Sequence, residues 1–89
     1  MSSRKIAPYV LRILASYQRD GRMANLETLV SEIPARRADI RRTVSAMHRQ
    51  GLVDACTMRL TMEGFSMGVS LMRIELPPLR EDRPVSVAA

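Results

Sequence analysis

Pro34 is the residue that most constrains what this chain can fold into. It has no backbone N–H and disfavours helical geometry at Ile33, so it ends one helix and makes the next begin after a short turn. Before it, Leu26, Leu29, Val30 and Ile33 recur at i, i+3, i+4 and i+7, the apolar face of a short helix from Leu26 to about Ile33, with Asn25 placed as its cap. After it, Ile40, Val44 and Met47 mark the buried side of a helix that begins around Arg36 or Arg37, continues to Gln50 and is capped by Gly51. A turn of 100° per residue puts Ala38, Arg41, Arg42, Ser45 and Arg49 on the far side of this second helix.

Charge collects on that far side. The 89 residues carry a net charge of +5, and the segment 36–49 holds Arg36, Arg37, Arg41, Arg42 and Arg49 against one acid, Asp39. Solvated helix faces normally mix signs for i, i+4 pairing. An unbalanced arginine face favours a polyanionic partner. A uniform preference for arginine, with Lys5 the only lysine, would raise charge everywhere and would not concentrate it in one helix.

Around this pair of helices the pattern predicts a flexible lead-in over 1–6 and a first helix from about Ala7 to Arg19. Pro8 is then tolerated in the first turn, and Val10, Leu14 and Tyr17 form the stripe, widened by Leu11 and Ile13. Asp20-Gly21 closes it, and Met23-Ala24 fits a brief extended segment. Past Gly51, the runs Leu52-Val53 and Met58-Arg59-Leu60 read as a small antiparallel hairpin. Thr61 then caps a fourth helix, about Met62 to Arg73, with Phe65, Val69 and Met72 on one face. Gly64 and Gly68 each weaken that helix by roughly 1 kcal/mol relative to alanine, so it needs packing partners. Residues 76–89 are rich in proline and charge and are expected to be a disordered tail. The chain reads as one domain over 7–75, mainly α with a small β-hairpin.

Several function classes are excluded on composition. No run is apolar and long enough to span a bilayer, and the N-terminus has no apolar signal segment, which points to a cytoplasmic protein with no membrane partner. A single cysteine, Cys56, excludes an internal disulfide and a multi-cysteine zinc site. His48 has no neighbours for catalysis or metal binding, and the seven methionines read as core filler. There is no glycine-rich phosphate loop and no nucleophile–base pair, and the adjacent acids Glu81-Asp82 lie in the expected tail. Neither enzymatic activity nor a cofactor or metal is expected.

The stretches Leu26-Glu-Thr-Leu-Val-Ser-Glu-Ile33, Ile40-Arg-Arg-Thr-Val-Ser-Ala-Met47, Gly51-Leu-Val53 and Arg59-Leu-Thr-Met-Glu-Gly64 together resemble the winged helix-turn-helix regulators of the MarR, PadR and ArsR type, over residues 7–75. The resemblance implies that helix 36–50 enters the major groove of double-stranded DNA, with Arg37, Ala38, Arg41, Arg42 and Ser45 nearest base edges and phosphates. Arg36 stands at the N-cap, where the family usually has Ser or Thr. Arg49 and His48 would meet the backbone, and Arg59 on the outgoing strand matches a position that reaches the minor groove or a phosphate. It also implies a homodimer through the first and last helices, presenting two recognition helices about 34 Å apart. The function so implied is a nucleoid-associated, sequence-specific transcriptional regulator. The alternative is an adaptor module whose arginine face meets an acidic protein surface and whose nucleic-acid affinity is non-specific. Single-stranded RNA is poorly served, because aromatics are only 3% of the chain and none lies in the basic helix.

Overall fold

A computed structural model of the protein describes residues 3–77. Its elements are α1 (Ser3–Arg19), α2 (Leu26–Glu32), α3 (Arg37–Arg49), β1 (Val53–Asp54), β2 (Arg59–Leu60) and α4 (Met62–Met72). The protein is therefore mainly helical with one two-stranded antiparallel sheet, in the order that the sequence pattern predicts. None of the described helices is long and apolar enough to cross a membrane.

α1 is longer than its stripe predicts and replaces the expected flexible lead-in from Ser3 onward. The reason is Ile6. It is fully buried, as is Val10, and extends the inward face by one turn. Burying such a side chain contributes roughly 1.5–3 kcal/mol, enough to order a turn that begins with Arg4 and Lys5. Pro8 consequently sits inside the helix, where it withholds a donor from the carbonyl of Arg4. The inward face of α1, which also includes Leu11, Leu14 and Ala15, meets Ile40, Val44 and Met47 of α3, with Leu29, Ile33, Val53 and Leu60 completing the core.

The caps follow the sequence closely. The Asn25 side chain accepts the Thr28 N–H at 3.0 Å while the Thr28 hydroxyl accepts the Asn25 N–H at 3.2 Å, a reciprocal box at the start of α2. Gly21 (φ 70°) and Gly51 (φ 77°) take the left-handed conformation that follows α1 and α3. Tyr17 donates to Glu32 at 2.6 Å and ties α1 to the end of α2. That hydrogen bond, with some desolvation and the Glu32 charge, raises the phenol above its usual range. The tie is therefore complete below the ordinary phenol pKa and is lost as pH rises through the raised one.

The hairpin pairs Val53 with Leu60 and Asp54 with Arg59. Its turn has no Asn-Gly. Instead the Asp54 carboxylate accepts the Cys56 N–H at 2.9 Å, the Asp54 carbonyl accepts the Met58 N–H at 2.7 Å, and Met58 closes the loop at φ 57°. A left-handed non-glycine residue costs roughly 1–2 kcal/mol, offset here by packing of Met58 against the core. Met23-Ala24 forms no strand. The free edge of β2 is met by Gln18, whose side-chain oxygen accepts the Leu60 N–H at 2.9 Å and whose amide donates to the Leu60 carbonyl at 3.5 Å.

α4 starts at Thr61, whose hydroxyl accepts the Gly64 N–H at 3.2 Å and donates to the Gly51 carbonyl at 2.7 Å. The two glycines that weaken this helix in isolation are its buried face. A Cβ on Gly64 would lie 1.9 Å from the Leu52 carbonyl oxygen, and one on Gly68 would lie 2.5 Å from the Leu11 oxygen and 2.6 Å from the Ala15 Cβ. α4 thus rests backbone-close on α1 and on the turn after α3. At the other end, Leu76 is half-buried beside α1 and Tyr9 donates to the Pro77 carbonyl. The rest of the tail expected over 76–89 lies outside the described residues.

Gly68→Ala is expected to lower unfolding free energy by about 1–3 kcal/mol, because backbone and not a flexible side chain must give way. Ser66→Ala on the exposed side of the same helix should change it by less than about 0.5 kcal/mol. Urea unfolding of the two variants checks this contrast.

Candidate nucleic-acid interface

The seat of α3 decides what it shows to solvent. Ile40, Thr43, Val44 and Met47 are buried, the i, i+3, i+4, i+7 set, with the Thr43 hydroxyl satisfied by the Asp39 carbonyl at 2.7 Å. Because four positions of the helix are locked inward, its rotation about its own axis is fixed. Arg36, Arg37, Ala38, Arg41, Arg42, Ser45 and Arg49 are all exposed. The structure thus brings seven of the eight residues singled out from the sequence onto one helix and its N-cap.

Two of these arginines are held from the side. Arg37 pairs with Glu27 of α2, and Arg42 lies 3.3 Å from the carboxylate of Asp39, one turn earlier. Asp39 is only 12% exposed at its side chain while Arg42 is 68% exposed, so the carboxylate anchors the base of an otherwise outward guanidinium. Exposed pairs of this kind contribute only about 0.2–1 kcal/mol, little enough for a phosphate to compete with the carboxylate. Among the described residues, Arg36, Arg41, Arg49 and Arg59 form no ion pair. The N-terminus of α3 has no side-chain cap, which leaves its first N–H groups and the positive end of the helix dipole beside Arg36 and Arg37.

Arg59 stands apart. It is exposed on β2 and borders a small depression with Tyr17, Arg22, Met23 and Ala24, on the α1–α2 connection and not among the α3 arginines. Its neighbour there, Arg22, lies 4.3 Å over the Tyr17 ring. Arg22 was not visible as a partner of Arg59 in the sequence, because 37 positions separate them and only the hairpin brings them together.

His48, exposed at the end of α3, also has a partner in the hairpin. Its Nδ1 lies 3.2 Å from the Ala55 N–H and 3.1 Å from the Val53 carbonyl. It fastens the end of α3 to the outer edge of β1, and with Nδ1 unprotonated it accepts from Ala55. The hairpin that carries Arg59 is therefore braced from both sides, by His48 on β1 and Gln18 on β2. Glu27 and Gln18 carried no sequence signal, and neither did the bracing contact of His48, since each acts through a partner on another element.

The chain matches no protein-family model, no curated protein and no solved structure.

His48→Ala is expected to cost about 1 kcal/mol through the lost hydrogen bond and to speed hydrogen exchange of the Ala55 amide selectively. The amides in the middle of α3 should keep their protection relative to the global unfolding limit. Residue-resolved exchange by NMR reads both.

Proposed function

We propose that the protein is a winged helix-turn-helix that binds double-stranded DNA and acts as a small transcriptional regulator, with α3 in the major groove. The observation that carries this reading is the locked rotation of α3: a fully buried stripe behind an exposed front of five arginines with one partly buried acid among them. An α-helix fits the major groove, and arginine reads guanine by a bidentate contact that contributes about 1–3 kcal/mol of discrimination. Arg41, which forms no ion pair among the described residues, and Arg42, anchored by Asp39, are the base-reading candidates. Arg37 and Ser45 flank them, and Arg36 and Arg49 at the two ends reach phosphates. Arg59, with Arg22 beside it, offers a second backbone contact from the hairpin side.

The proposal includes a two-fold dimer. Within one chain α1 and α4 already pack against each other, so a partner has to meet their outer surfaces, where Met62 and Ile74 are exposed at either end of α4. Static light scattering at micromolar concentration would give twice the 10.0 kDa chain mass; a monomer mass removes the dimer and leaves a half-site reader. The cytoplasmic, nucleoid-associated location follows only if the DNA reading holds.

The deciding experiment uses Arg41→Ala/Arg42→Ala with duplexes selected from a randomised pool. Affinity should fall at least tenfold with helix content unchanged, because neither side chain belongs to the buried stripe. The slope of log affinity against log salt should shrink by about 0.9 for each phosphate contact removed. Unchanged affinity in the double variant means that α3 is not the reading element. Absence of any enriched sequence, with weak binding that vanishes at moderate salt, means that the arginine face serves a protein partner.

A further inference from the structure

His48 holds the hairpin through one ring nitrogen that faces two partners of opposite kind. Its Nδ1 lies 3.2 Å from the Ala55 amide nitrogen, a donor, and 3.1 Å from the Val53 carbonyl oxygen, an acceptor. A ring nitrogen serves one kind of partner at a time. With Nδ1 bare, the Ala55 bond is made and the Val53 oxygen meets a lone pair. With a proton on Nδ1, the Val53 bond is made and the Ala55 N–H loses its acceptor. The two states use the same atom and exclude each other. Val53 belongs to β1 and Ala55 to the turn that follows it, so each state holds a different part of the hairpin.

We propose that His48 is a proton-operated latch: neutral, it holds the hairpin turn through Ala55; protonated, it releases the turn and holds the strand through Val53. Histidine is the side chain whose charge changes between about pH 5 and 8, and His48 is exposed, so solvent protons reach it without any opening of the fold. It stands in the last turn of α3, where the negative end of the helix dipole accommodates an imidazolium. The other charged and titratable groups that the two elements bring to this junction are Arg49 on α3, Asp54 and Arg59 paired across the hairpin, and Cys56 in its turn. The Asp54 carboxylate accepts the Cys56 N–H at 2.9 Å and the Asp54 carbonyl accepts the Met58 N–H. After release of Ala55 the turn is therefore held from Asp54. The latch acts on the hairpin that carries Arg59, and it does not depend on what α3 binds.

The test is NMR on the full chain between about pH 8 and about pH 5.5, a span that covers imidazole protonation. No nucleic acid is present, so failure of the DNA reading leaves the result untouched. At the upper pH a scalar coupling across the hydrogen bond should join the Ala55 amide nitrogen to His48 Nδ1, with the ring proton on Nε2. At the lower pH that coupling should vanish, and the Val53 carbonyl carbon should shift as its oxygen gains a donor. Protection of the Ala55 amide, relative to its intrinsic exchange rate, should fall about fivefold, the factor that one hydrogen bond supplies. All three changes should share the midpoint of the His48 ring signals. His48→Asn offers an acceptor and a donor on separate atoms and does not titrate, so it should leave the Ala55 amide indifferent to pH over this span. Asp54→Asn and Cys56→Ser should both keep the wild-type response. The proposal is overturned if the coupling is absent at the upper pH, if it survives at the lower one, or if the Ala55 amide titrates in His48→Asn as it does in the wild type.

Discussion

The structure depends on how closely α4 can approach α1. Each helix alone is a poor prospect: α1 carries a proline inside it and α4 carries two glycines. Their contact resolves both problems together. The glycines remove the side chains that would keep the helix axes apart, so α4 comes within backbone contact of Leu11 and Ala15. α1 then has packing on one side from α4 and on another from α3, and β2 rests on it as well. The rotation of α3, and hence the direction of its arginines, is fixed against this core and not by any interaction among the arginines themselves.

That ordering separates the residues that hold α3 from those it exposes. The side chains that hold α3 down are Ile40, Thr43, Val44 and Met47, and those that face outward touch little else. Glu27 and Asp39 restrain Arg37 and Arg42 without burying them. The arginine front is thus organised but not committed, since pairs this exposed exchange partners at small cost. A surface of this kind can change its sequence without threatening the fold.

Much of the fold was legible in the sequence because its elements announce themselves locally. Stripes at helical spacing, the Asn25 and Thr61 caps, Pro34 and the two left-handed glycines are all decided within a few residues. The start of α1 is not legible locally, because Arg4 and Lys5 look like a solvated lead-in and only tertiary burial of Ile6 reverses that. The cost of Gly64 and Gly68 to an isolated helix is a local property, but their benefit depends on the carbonyls of Leu52 and Leu11, which no local pattern reveals. The arginines of the candidate site were legible as one helix face. Their acid partners were only partly so: Asp39 sits at i−3 from Arg42, whereas Glu27 belongs to another helix. Arg59 is legible as a residue of the outgoing strand, but the depression it shares with Arg22 is not, because only the hairpin brings the two together.

A two-stranded sheet has two outer edges, each a row of backbone groups able to recruit a further strand from another molecule. Here the strands are two residues long, and a side chain engages backbone on each side: Gln18 the Leu60 amide and carbonyl, and His48 the Ala55 N–H just past β1. The imidazole and the primary amide act as single-residue surrogate strands. A further strand could add to this hairpin only by displacing those side chains from the backbone groups they hold.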